Sequence, residues 1–140
     1  MPDFILRHFF IWYNYHMSRI LIVDDAASWR RYHEDSIKQI YKNKFDIITA
    51  SSASEANELL YSNSDNPFDI ILTDMQMESD YLPLYAGEWQ IEQVQNFEQY
   101  KNSRIIIISA AYNIKFIADK YGVEYIRKAD CRSVDSYNIL

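Results

Sequence analysis

Five short runs of aliphatic and β-branched residues recur along this chain, each followed by a stretch with helical spacing. No other feature limits the possible folds so strongly. The runs are RILIV (Arg19 to Val23), FDIITA (Phe45 to Ala50), DIILT (Asp69 to Thr73), RIIII (Arg104 to Ile108) and VEYIR (Val123 to Arg127). The unbroken apolar runs among them lack the in–out alternation of a half-solvated strand and read as strands covered on both faces. After the first, Trp29, His33, Ser36, Ile37 and Ile40 recur at three- and four-residue spacing, which predicts an amphipathic helix. Ala56, Leu59 and Leu60 mark a second helix, with Ser52 or Ser54 as its N-cap. Ile91, Val94 and Phe97 mark a third beyond Gly87. Ile114, Ile117, Ala118 and Tyr121 mark a fourth that closes at Gly122, a position suited to positive φ. The remaining residues leave room for a short last helix. Strand and helix in this order predict an α/β fold, a doubly wound five-stranded parallel sheet with helices on both faces.

Composition narrows the class further. A chain of 140 residues suits one domain, and 49% hydrophobic with 24% charged residues excludes wholesale disorder. A net charge of −6 without a basic run argues against nucleic acid as a partner. The single cysteine, Cys131, cannot form an internal disulfide and is expected to be an inert thiol in a reducing compartment. Residues 1–16 carry six aromatics but also Asp3, Arg7 and His8. That segment is too short and interrupted to span a bilayer and has no small-residue cleavage site. It is read as an aromatic N-terminal extension ahead of a domain over 17–140, with no membrane partner and a cytoplasmic location. No second domain is expected, so output is expected through another protein.

In open parallel sheets, ligands bind at the carboxyl ends of the strands. The reactive residues fall there. Asp24 and Asp25 follow the first run, Asp74 the third, Ser109 the fourth and Lys128 the fifth. Three carboxylates held together need counter-charge. Lys128 supplies one positive charge, and a hard divalent cation such as Mg²⁺ would supply the other two.

The runs LIVDD, IILTD about fifty residues later, IIIISA and YIRK, in this order, resemble the response-regulator receiver family of two-component signalling, from Arg19 to about Lys128. The resemblance implies a flavodoxin-like sheet of strand order 2-1-3-4-5. It implies a module that switches a binding surface and is not itself an enzyme, with a phosphoryl group accepted on Asp74. Asp25, Asp74 and the backbone carbonyl of Gln76 would bind Mg²⁺, with Asp24 acting mostly through a water on the metal. Ser109 and Lys128 would contact the phosphoryl oxygens, and Tyr125 matches the switch aromatic. Ala110 matches the small residue that keeps the site accessible. The donor would be a sensor histidine kinase or a phosphotransfer protein, in a phosphorelay, and the downstream protein is unknown.

Three features depart from the family. Glu78 stands where a proline is usual, and the matching glycine is Gly87, so the loop over 75–86 is about five residues longer. Ala129 replaces the proline that usually follows the lysine, so a trans Lys128–Ala129 bond is expected, because a cis bond there would cost about 2.5–4 kcal/mol. The last helix is also short. These departures sustain a rival reading, a receiver-like interaction scaffold that is no longer phosphorylated. A hydrolase with an Asp nucleophile is a weaker rival, since Gln76 stands where its general acid would be.

Blander roles compete residue by residue. Asp24 and Asp25 could cap the first helix, Ser109 could be a turn residue, Lys128 a solvated lysine, and Tyr125 core packing. His33 reads as a half-buried packing residue, against a phosphorelay histidine.

Overall fold

The structure, a computed structural model, describes residues 17–77 and 86–140. The N-terminal extension over 1–16 and most of the 75–86 loop, Glu78 included, lie outside the described residues. Five parallel strands form one sheet: β1 (Ser18–Val23), β2 (Phe45–Ala50), β3 (Ile70–Asp74), β4 (Arg104–Ser109) and β5 (Glu124–Arg127). Their order is β2-β1-β3-β4-β5, the expected one. Among the described residues, four α-helices alternate with them: α1 (Ala27–Tyr41), α2 (Ala53–Ser62), α3 (Ala86–Gln95) and α4 (Ile114–Tyr121).

The period of two along each strand splits the core into two layers. Ile20 and Ile22 of β1, Ile70 and Leu72 of β3, and Ile106 and Ile108 of β4 face one side, with Ile37 of α1 and Tyr137. Leu21 and Val23, Ile71, Ile105 and Ile107 face the other, with Leu60 of α2, Ile91 of α3 and Ile117 of α4. Every residue of β3 is buried, as an unbroken apolar run requires of a central strand.

Local chemistry sets the helix ends. Ser52 caps α2, accepting the Glu55 N–H at 3.0 Å, while Glu55 reaches back to the Ser51 N–H at 2.8 Å. Of the two serines expected as caps, Ser52 serves. Gly122 ends α4 at φ 66°, the left-handed conformation that glycine adopts without penalty.

Strand ends shift slightly from expectation. β3 and β4 each run one residue further, so Asp74 and Ser109 are the last residues of their strands and not the first of the loops. α3 begins at Ala86, so Gly87 lies inside it, and it ends at Gln95, short of Phe97. The expected short last helix takes the form of two 3₁₀ segments, Lys128–Arg132 and Val134–Ile139. They close the α1 side of the sheet, with Tyr137 fully buried.

Candidate functional site

The site lies at the carboxyl edge of the sheet, where β1, β3, β4 and β5 end together. Asp24 directly follows β1, and its N–H donates to Ala50 O of β2 at 3.2 Å. That bond holds Asp24 in line with the sheet, and its side chain is buried. Asp24 Oδ1 accepts the Ala26 N–H at 2.9 Å, a local turn contact; the N-cap of α1 is Ala26, without a side-chain cap bond, so the capping role weighed for Asp24 is not the one it fills. Its Oδ2 lies 3.1 Å from Lys128 Nζ and 3.6 Å from His33 Nε2. The first is an ion pair without hydrogen-bond geometry and the second is too long for a hydrogen bond, which leaves this buried oxygen without one. Asp25 is half-buried beside it. Arg30 ties this turn to α1, donating to the carbonyls of Asp24 at 2.8 Å and Asp25 at 3.1 Å.

Asp74 is only 5% exposed. As a strand residue paired with Ile108 it has little backbone freedom. Lys128 Nζ donates to its Oδ2 at 3.1 Å, and the Gln76 N–H approaches its Oδ1 at 3.4 Å. The Gln76 side chain points to solvent. Carboxylate oxygens of Asp24, Asp25 and Asp74 lie within 4.8 Å of one another.

Lys128 thus serves two carboxylates at once. The consequence appears in their protonation. Burial pushes the Asp74 carboxyl up to about 6, Lys128 opposes this, and the neighbouring Asp24 charge adds to it. Asp24 is also penalised by burial, but His33, the Ala26 N–H and Lys128 together hold it below the usual carboxylate range. One ammonium is too little positive charge for three carboxylates. The cluster, with a buried carboxylate oxygen lacking a hydrogen bond, fits a hard divalent cation held through oxygen.

Ser109 is buried at the end of β4, where its Oγ accepts the Ala111 N–H at 3.1 Å. That bond is a turn contact, the bland role considered for it, and leaves the hydroxyl proton free to donate elsewhere. Ala110 is exposed. Tyr125 is half-buried on β5 against the core layer of α2, α3 and α4, with the Arg127 guanidinium 5.5 Å from its ring centre. The Lys128–Ala129 bond is trans, as expected.

Gly87 has a close neighbour that its place in the sequence did not suggest. A Cβ there would lie 2.3 Å from Asp74 O and 2.5 Å from Met75 Cα. Only glycine lets α3 approach the Asp74 backbone this closely, and the Gly87 N–H donates to Met75 O at 3.1 Å.

Three residues of α1 join the site without having been singled out for it. Trp29 lies under the Lys128 ammonium, 4.8 Å from ring centre to Nζ. Trp29, Tyr32, Ala110 and Lys128 line an open cleft of about 600 Å³. Arg30 holds the Asp24–Asp25 turn, and His33 reaches Asp24 from beneath. Helical spacing had marked Trp29 and His33 as packing residues, and it says nothing of which polar atoms a packed ring meets.

Neither a protein-family model nor a curated protein matches the sequence. Solved structures do match. The phosphorylated cyanobacterial phytochrome response regulator RcpA superposes with a TM-score of 0.68 at 20% identity, covering 89% of each chain. The Mn²⁺-bound form of response regulator Rcp1 gives 0.63 at 15% identity, over 79% of this chain and 81% of that one. The complex of the P1 domain of CheA3 with CheY6 from R. sphaeroides gives 0.60 at 24% identity, over 80% of this chain and 82% of that one. At these identities the similarity is one of fold. The chain has the receiver fold of response regulators.

Proposed function

We propose that this chain is a response-regulator receiver that accepts a phosphoryl group on Asp74 and thereby changes the surface it offers to a partner protein. The observation that carries the reading is the convergence of Asp24, Asp25 and Asp74 around Lys128, whose ammonium is 3.1 Å from both Asp24 Oδ2 and Asp74 Oδ2.

In the proposed reaction, a carboxylate oxygen of Asp74 attacks phosphorus in line. The new O–P bond forms as the bond from phosphorus to the leaving group breaks, and that group departs with the electron pair. An ionised carboxylate needs no general base. The Lys128 ammonium pairs with the phosphoryl oxygens, which take over its contact with Asp74. The Ser109 hydroxyl donates to a phosphoryl oxygen, and Tyr125 follows into the space this movement opens. Asp24, Asp25, Asp74 and the Gln76 carbonyl would hold Mg²⁺, and the fold neighbour Rcp1 with Mn²⁺ supports a divalent ion there. Bound there, the ion would supply positive charge beside the phosphoryl oxygens.

The donor is a phosphohistidine of a sensor kinase or a phosphotransfer protein, a reading supported by the CheA3 P1 complex among the fold neighbours. Such donors fit the cytoplasmic location expected from the sequence. Among the described residues no helix is long and apolar enough to cross a membrane. The net charge of −6 fits a protein partner better than nucleic acid.

Incubation with acetyl phosphate and Mg²⁺ tests the reading. One phosphoryl group per chain is expected, lost in Asp74→Ala. A folded, Mg²⁺-saturated sample that takes up none would contradict it in favour of an interaction scaffold.

A further inference from the structure

His33 is 2% exposed, and both of its ring nitrogens meet polar atoms. Nδ1 lies 2.7 Å from the Tyr137 hydroxyl, and Nε2 lies 3.6 Å from Asp24 Oδ2. Tyr137 belongs to the 3₁₀ segment Val134–Ile139 and is completely buried. Its carbonyl accepts the Tyr41 hydroxyl at 2.9 Å, which pins the segment to α1 a second time. Trp29 stacks on the His33 ring with centroids 5.4 Å apart.

The proton positions follow from the partners. A carboxylate oxygen only accepts, so the neutral imidazole that matches both partners carries its proton on Nε2 and accepts the Tyr137 O–H on Nδ1. Simple packing does not account for the arrangement, since an apolar ring would fill the volume without desolvating two nitrogens. The 3.6 Å gap exceeds a closed hydrogen bond, so a shift of Asp24 by a few tenths of an ångström makes or breaks the contact.

We infer that His33 is a positioning residue that couples Asp24 to the C-terminal 3₁₀ segment, its ring held at one end by Tyr137 and orienting the carboxylate at the other. The inference rests on the proposed function, because it concerns Asp24 as part of a cation site. Coupling of this kind is reciprocal. Occupancy at Asp24 alters the stability of the Val134–Ile139 segment, and loss of the Tyr137 contact alters cation affinity by the same factor.

The test uses the full chain with Mg²⁺ alone, reading affinity by calorimetry and backbone hydrogen exchange over 134–139. In the wild type, Mg²⁺ is expected to change exchange in that segment. Tyr137→Phe removes one hydroxyl and keeps the ring. It should weaken Mg²⁺ binding about tenfold, the low end of the range for second-layer ligand partners, and abolish the exchange response. His33→Asn keeps a polar atom near the Nδ1 position but loses the donor to Asp24, and should bind more weakly. His33→Gln restores a donor near the Nε2 position and should regain affinity over His33→Asn, while the exchange response stays lost. Equal weakening in both His33 variants would mark a packing role and overturn the coupling, as would an unchanged Tyr137→Phe. Should the His33 variants fail to fold, Tyr137→Phe decides alone. A wild type that does not bind Mg²⁺ would overturn the site reading and this inference together; binding with unaltered variants overturns the inference only.

Discussion

At the scale of single residues, the balance between Lys128 and the carboxylates decides how the site behaves. Asp74 sits at about 6 against an ordinary 3.8, because burial and the Asp24 charge outweigh Lys128. A carboxyl raised in the folded state contributes stability below its unfolded value, and that contribution is lost as pH rises through the folded one. Metal-free protein should therefore lose about 2–3 kcal/mol from this group between pH 4 and pH 7. Asp74→Asn should recover most of it at pH 7 and flatten the trend, as read by urea unfolding with a chelator present. An Asn variant no more stable than the wild type at pH 7 would contradict this. Mg²⁺ should stabilise the wild type and not the variant, since a ligand bound only to the folded state adds stability by mass action. Asp24, Asp25, Asp74, Ser109 and Lys128 were legible in the sequence because each ends a strand or lies within two residues of its end. Trp29, Arg30 and His33 were not. Their roles depend on rotamers and on which atoms face them across a helix–sheet interface, which spacing does not encode.

Elements place these residues, and Gly87 shows how. The helical spacing of Ile91 and Val94 was enough to find α3. It could not show that the helix starts one residue before Gly87 and rests on the backbone of Asp74 and Met75. Gly87→Ala forces its Cβ into backbone atoms that cannot rotate away, so α3 or the end of β3 must move. Destabilisation of about 1–3 kcal/mol is expected, the usual range for overpacking, together with weaker Mg²⁺ binding. A variant with wild-type unfolding and affinity would show that the contact relaxes without consequence. The C-terminal segment was legible only as a stretch too short for a full helix. Its 3₁₀ form depends on Tyr137 fitting beneath α1, a long-range contact that local propensity does not report.

Across the whole molecule, the two-layered core explains why the strand runs were so readable. Each central strand is apolar on both faces, so period and composition both point to a parallel sheet. Among the described residues, five strands and two core layers form around one sheet whose first strand begins at Ser18. Deleting residues 1–16 should leave a folded, Mg²⁺-binding domain, and a truncated chain that cannot fold would assign that segment to the core. The central claim is that this fold presents Asp74 as a phosphoacceptor. The most direct measurement is to treat the chain with acetyl phosphate and Mg²⁺, reduce it with borohydride, and sequence the peptides by mass spectrometry. Borohydride converts an aspartyl phosphate to homoserine and leaves a free aspartate intact. The account predicts homoserine at position 74 alone, absent when a chelator replaces Mg²⁺. Homoserine at another aspartate, or at none in a folded sample with Mg²⁺ bound, would contradict it.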